Sequence, residues 1–254
     1  MIVLLHDLSG FKNLTGLKFE RIVFLINCTK KSIQMKINQF WLRIMGISGI
    51  LGGLVLFAGD MLFYYHPTNP DIKLNMGNAS DFRIIASGVS ALISTWLYML
   101  GLGQVYYAFN PAKPLLKYIV IGCFGYVLIA FGIVHGAFVA IATSSKLAIE
   151  YNIDLKKATS LAFETNNAIR FLVYPVFGIL SYFFISLVWK RKTLYPKWII
   201  IFFPLIWFLL KNNITKNLPN SLWIIIDGGY LNLLLVIFFS ASTVALWKAK
   251  TLEK

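Results

Sequence analysis

The sequence predicts an all-α fold: a polytopic transmembrane helical bundle of six spans, both termini cytoplasmic. Three observations carry this expectation. Of 254 residues, 58% are hydrophobic and only 13% are charged, against about 25% charged in a soluble domain. The mean hydropathy is +0.70. The apolar residues gather in runs near the roughly 20 residues that a helix needs to cross a bilayer. Inside lipid every backbone group must find its partner within the chain, so such runs form helices.

Taken in order, residues 1–40 form an N-terminal extension. Phe11, Leu14, Leu17, Phe24 and Leu25 recur at helical spacing beside Lys12, Lys18, Arg21, Lys30 and Lys31. That is the pattern of a basic amphipathic helix lying on anionic lipids at the cytoplasmic face. The alternative is an extension without structure of its own, and Met35 then reads like a start just before the first span. The transmembrane domain covers 41–248, and 249–254 form a cytoplasmic tail. The spans are expected at 42–65, 83–109, 115–143, 168–189, 195–210 and 222–247. Trp41, Trp189, Trp198, Trp223 and Trp247 stand near span ends, as an interfacial aromatic belt requires. Asp154 is placed to cap a helix over 155–167 that runs into the fourth span. The fifth span is short and holds Pro204, which suits a kinked helix inside the bundle.

Charge sets the orientation. Sixteen of the 24 Lys and Arg fall in the segments that a cytoplasmic N-terminus places inside, as the positive-inside rule favours. Seven of the ten acids fall in the outer half or outer loops. A net charge of +14 therefore reflects topology. Nucleic acid is not an expected partner, because no basic stripe with interleaved aromatics sits on a soluble domain. Cys28 and Cys123 exclude a disulfide framework, and no metal-binding spacing exists. Neither a cofactor nor a metal is expected. The Lys-, Ile- and Asn-rich composition points to a bacterial inner (plasma) membrane.

Ionisable groups inside a membrane are costly and mark function by default. Asp60, His135 and Asp227 lie in three different spans. At 1.5 Å rise per residue they sit about 7, 12 and 6 Å below the outer surface. They form the core of a candidate pocket in the outer half of the bundle. Arg83, Glu164 and Arg170 form its rim, and Tyr230 and Asn232 follow Asp227 on the sixth span. Helical spacing puts Gly49, Gly53, Asp60 and Tyr64 near one stripe, and Arg83, Ser87, Ser90 and Ser94 on one face. Each residue also has a structural reading. Asp60 pairs with Arg83, His135 is a hydrogen-bonded core histidine, and Asp227 caps a helix.

The chemistry stays open. His135 beside a carboxylate would make a general base, but no Gly-x-Ser-x-Gly elbow supports a serine hydrolase. The expected ligand is a small polar molecule or lipid head group, and the acidic residues favour a cation or amine. A structural or accessory membrane protein and a secondary transporter are the alternatives. The inner half carries no buried ionisable residue for a proton path.

Gly59-Asp60, His135-Gly136 and Asp227-Gly228-Gly229 together resemble an uncharacterised family of bacterial multi-pass membrane proteins over Trp41–Trp247. The resemblance implies six helices and carries no activity.

Overall fold

The computed structural model describes residues 38–69 and 71–247. The stretch expected to form a basic amphipathic helix, Cys28 and the tail at 249–254 lie outside the described residues. Among the described residues eight α-helices follow one another: α1 (Gln39–Tyr64), α2 (Ile72–Gly77), α3 (Asp81–Ala108), α4 (Pro114–Glu150), α5 (Leu155–Trp189), α6 (Pro204–Thr215), α7 (Asn220–Gly228) and α8 (Tyr230–Leu246). A 3-10 turn, Lys197–Phe202, precedes α6. No strand occurs among the described residues.

Local chemistry explains most helix starts. Asn38, Asp71, Ser80 and Asp154 each accept a bond from a first-turn amide, satisfying a donor the helix leaves free. Pro114 and Pro204 open α4 and α6, where a missing N–H costs nothing. The helix expected over 155–167 is present and continues through Trp189 without interruption. The segment between the first two expected spans contains α2, which its short polar stretch did not signal.

Four helices, α1, α3, α4 and α5, are long and apolar enough to cross a membrane. A fifth is reached if α7 and α8 count as one span, and those two are bent by 67° at Gly229. The fifth expected span, 195–210, is not one helix. Proline disfavours helix at the residue before it and lacks the donor to continue one, and Phe203 is extended, so the 3-10 turn ends there and Pro204 begins α6. Six residues of 3-10 and twelve of α-helix rise about 12 and 18 Å, and neither alone reaches the roughly 30 Å of a bilayer core.

α1 packs between α3 and α8, and its glycines make this close. A Cβ on Gly53 would lie 3.2 Å from the Asn232 carbonyl oxygen of α8, and one on Gly52 3.2 Å from the Ser94 carbonyl oxygen of α3. A Cβ on Gly101 of α3 would lie 2.7 Å from Gly49 Cα. The stripe is thus a packing device, as small residues commonly are between membrane helices. On α4, Gly132 meets the α3 backbone, but Gly136 faces open space.

The two ends of the bundle differ. At the Trp247 end, Arg43 donates to the Trp247 carbonyl at 3.2 Å and its guanidinium lies 4.3 Å from that indole. Leu194 donates to the Ala108 carbonyl at 2.8 Å. A cluster of aromatic rings including Phe109, Phe184, Phe203 and Phe238 fills this half, with Phe184 and Phe203 stacked at 4.3 Å. A buried chain runs from Tyr195 to Ser242 and on to Gln104, at 2.7 Å per step. Lys117 is also buried in this half and donates to Asn110 Oδ1 at 2.8 Å, against the expectation of no buried ionisable residue there, and the opposite, Tyr64 end holds the buried Asp60 and His135.

Candidate functional site

A cavity of about 690 Å³ lies in the Tyr64 half, walled by every helix except α3. Asp60 and His135 form its floor at 5% and 3% exposure. Asp60 sits one turn before the end of α1, and its Oδ1 lies 2.9 Å from His135 Nδ1. Its Oδ2 accepts from Asn232 Nδ2 of α8 at 2.6 Å. His135 Nε2 lies 3.1 Å from the Ser87 carbonyl oxygen and 3.0 Å from Ser87 Oγ. Ser87 Oγ donates to the Gly59 carbonyl at 2.6 Å. The ring therefore faces a carboxylate on one nitrogen and a carbonyl on the other. Both ring nitrogens are thus held by partners within the protein, and which of them donates depends on the tautomer. Four helices meet at this cluster.

Ser87, His135 and Asp60 stand in the order of a nucleophile, base and orienting acid. Ser87 is fully buried, its hydroxyl is committed to Gly59, and it does not line the cavity. A nucleophile must be open to substrate, so this arrangement serves α1–α3–α4 packing.

The expected site residues divide. Asp60, His135, Asp227, Arg170 and Asn232 all line the one cavity. Asp227 does not join the Asp60 cluster. It pairs with Lys211 of α6 at 3.2 Å, because the bend at Gly229 turns α7 away from the axis of α8. Arg83 is not at the rim and does not pair with Asp60. Its guanidinium donates to the Leu62, Met61 and Tyr65 carbonyls at 2.9, 3.2 and 3.3 Å, capping the end of α1. Glu164 is exposed on α5 and does not line the cavity. Tyr230 also lies outside the lining. The bend breaks the three-residue spacing that aligned it with Asp227, and its hydroxyl donates to the Trp207 carbonyl at 2.7 Å.

Sequence reasoning missed Lys73, Lys211 and Asp71 in the lining. Lys73 lies on α2, and its ammonium is 4.5 Å from the Phe163 ring. The Arg170 guanidinium is 5.1 Å from the Phe138 ring. The signal for Lys211 was available, since a lysine close to a span end needs a counter-ion and Asp227 lies at similar depth. Ser87 was legible on the polar face of span two, but its partner was not. Tyr64, one turn after Asp60, donates to the Gly228 carbonyl at 2.6 Å and ties α1 to α7. A Cβ on Gly228 would strike the Tyr64 ring, and one on Gly229 the Phe57 ring. The glycine pair allows this approach, since neither residue has a positive φ. No group of three or more His, Cys, Asp or Glu side chains is placed to hold a metal among the described residues.

Fold and site together define an all-helical protein with several membrane-length helices and a cavity floored by the buried, hydrogen-bonded Asp60 and His135. The chain belongs to the family of unknown function DUF6796, whose model matches residues 35–249. No curated protein and no solved structure matches the chain.

Proposed function

We propose that this integral membrane protein binds or processes a small polar molecule or lipid head group in the cavity of its outer half. The observation that carries the reading is the Asp60–His135–Asn232 cluster at the cavity floor. Buried ionisable groups are expensive in a membrane and are retained where they do a job. A volume of about 690 Å³ falls within the roughly 300–1,000 Å³ of ligand sites. Binding is favoured over nucleophilic catalysis because Ser87 is closed off.

The chain crosses six times in this reading, with both ends in the cytoplasm. The 3-10 turn and α6 together rise about 30 Å. They lead from Leu194, bonded to Ala108, to Lys211 beside Asp227. An even number of crossings agrees with the meeting of Arg43 and Trp247, and the Lys and Arg bias puts that end inside. The break between α7 and α8 supports a second reading, a secondary transporter, since broken helices border many transport sites. Cytoplasmic labelling of a cysteine placed at Asn232 tests that one.

Native mass spectrometry of the full chain released from its own membrane tests the main reading. A bound species is expected on the wild type, lost in Leu231→Trp, which fills the cavity, and kept in Tyr182→Trp, on the exposed face of α5. Identical spectra for all three refute it.

A further inference from the structure

We infer that the cavity takes an anionic single-chain amphiphile: a phosphate or carboxylate head on an acyl tail. The inference rests on the ligand-cavity reading above and names its ligand. Charge comes first. Within the lining, Asp60 faces His135 and Asp227 faces Lys211. Lys73 and Arg170 remain, and among the described residues no carboxylate lies within ion-pair distance of either. Each rests against an aromatic ring instead. A guanidinium held on a ring face keeps its N–H edge free for a planar or tetrahedral oxyanion. Asp71 also lines the cavity, but it is exposed and accepts from the Leu74 amide at the start of α2. The cations outnumber the anions that remain after pairing. This reverses the sequence-based expectation of a cation or amine, because two of the acids are already matched from inside the protein.

The other end of the cavity is apolar. A smaller hollow of about 40 Å³ adjoins it and shares Phe131, Val173, Tyr174, Phe208 and Leu231 with it. It runs between α4, α5, α6 and α8 toward Phe203 and Leu235, in the aromatic half of the bundle. At rest it has room for little more than one water, and the Phe208 ring stands at its side, 6.0 Å from Tyr174 and 5.9 Å from Phe177. Pro175, inside α5 at this level, has no N–H to bond along the helix. A tail that displaces Phe208 therefore enters an apolar channel pointing at the membrane interior. A head group at Lys73 and Arg170 stays at the membrane surface. Free phosphate matches the cations but leaves the apolar walls without a partner. An amine meets the wrong charge.

Equilibrium binding to the purified full-length protein in a non-ionic detergent tests this with four probes: dodecyl phosphate, dodecylphosphocholine, dodecylamine and inorganic phosphate. Dodecyl phosphate is expected to bind at least tenfold more tightly than each of the others. Arg170→Gln and Lys73→Gln are each expected to weaken it about tenfold or more, since a hydrogen bond to a charged group contributes roughly 1.5–3 kcal/mol. Arg170→Lys, which keeps the charge but loses the planar fork, is expected to bind more tightly than Arg170→Gln and less tightly than the wild type, which separates loss of fold from loss of recognition. Equal binding of dodecylphosphocholine or dodecylamine overturns the anionic head while leaving a ligand cavity in place. Equal binding of inorganic phosphate overturns the tail. Dodecyl phosphate binding that Leu231→Trp leaves unchanged overturns both this inference and the cavity reading beneath it.

Discussion

Removing Asp60 tests whether the buried pair is ionic. Asp60→Ala strips the acceptor from His135 Nδ1 and from Asn232 Nδ2, both buried. Losing one partner of a buried ion pair costs about 3–5 kcal/mol, because the other charge is left uncompensated. His135→Ala strands Asp60 in the same way and is expected to cost a similar amount. In the double variant no charge is stranded, so the losses do not add. A coupling of about 2–3 kcal/mol follows if the pair is ionised. A neutral hydrogen bond between membrane helices averages only about 0.6 kcal/mol, so the two cases separate by a measurable margin. The assay is reversible unfolding in mixed detergent micelles for the wild type, both single variants and the double variant. A coupling at or below the neutral value refutes an ionised pair.

Three further outcomes follow from packing and capping. Gly101→Ala is expected to destabilise by about 1–3 kcal/mol, because its Cβ would press on the Gly49 backbone. Gly136→Ala, with nothing within 4 Å of its Cβ, is expected to stabilise α4 by about 0.5–1 kcal/mol, and thermal unfolding ranks the two. Arg83→Ala removes the three bonds that cap α1. It is expected to speed amide exchange after Gly59 and leave ligand binding unchanged, which hydrogen exchange and the binding assay check together. Tyr195→Phe cuts the chain to Ser242 and Gln104 and is expected to cost about 1 kcal/mol, again read by unfolding.

Depth along each helix was legible in the sequence, and direction around it only in part. Counting residues put Asp60 and His135 in one slab, and the structure joins them at 2.9 Å. The same count put Asp227 there and suggested a shared partner, yet it pairs with Lys211. Arg83 stood at the right height to reach Asp60, but the free carbonyls ending α1 were nearer. A helix terminus leaves its last carbonyls unpaired, and no side-chain pattern shows which arginine will take them. Glu164 shared the level and faced outward. The acidic bias of the outer half suggested a cationic ligand, and only the tertiary structure shows that Asp60 and Asp227 already have partners within the chain.

The sequence by itself determined the all-helical class, the first four of the six expected spans, the cap at Asp154, and the costly position of Asp60. These follow from composition, length and local hydrogen bonding, which act within one turn of chain. The tertiary structure alone decided the break at Gly229 and which charges meet. Those depend on how far each helix turns about its axis and how closely glycine lets its neighbour approach. Residues more than a hundred positions apart settle both, as when Asn232 of α8 reaches Asp60 of α1.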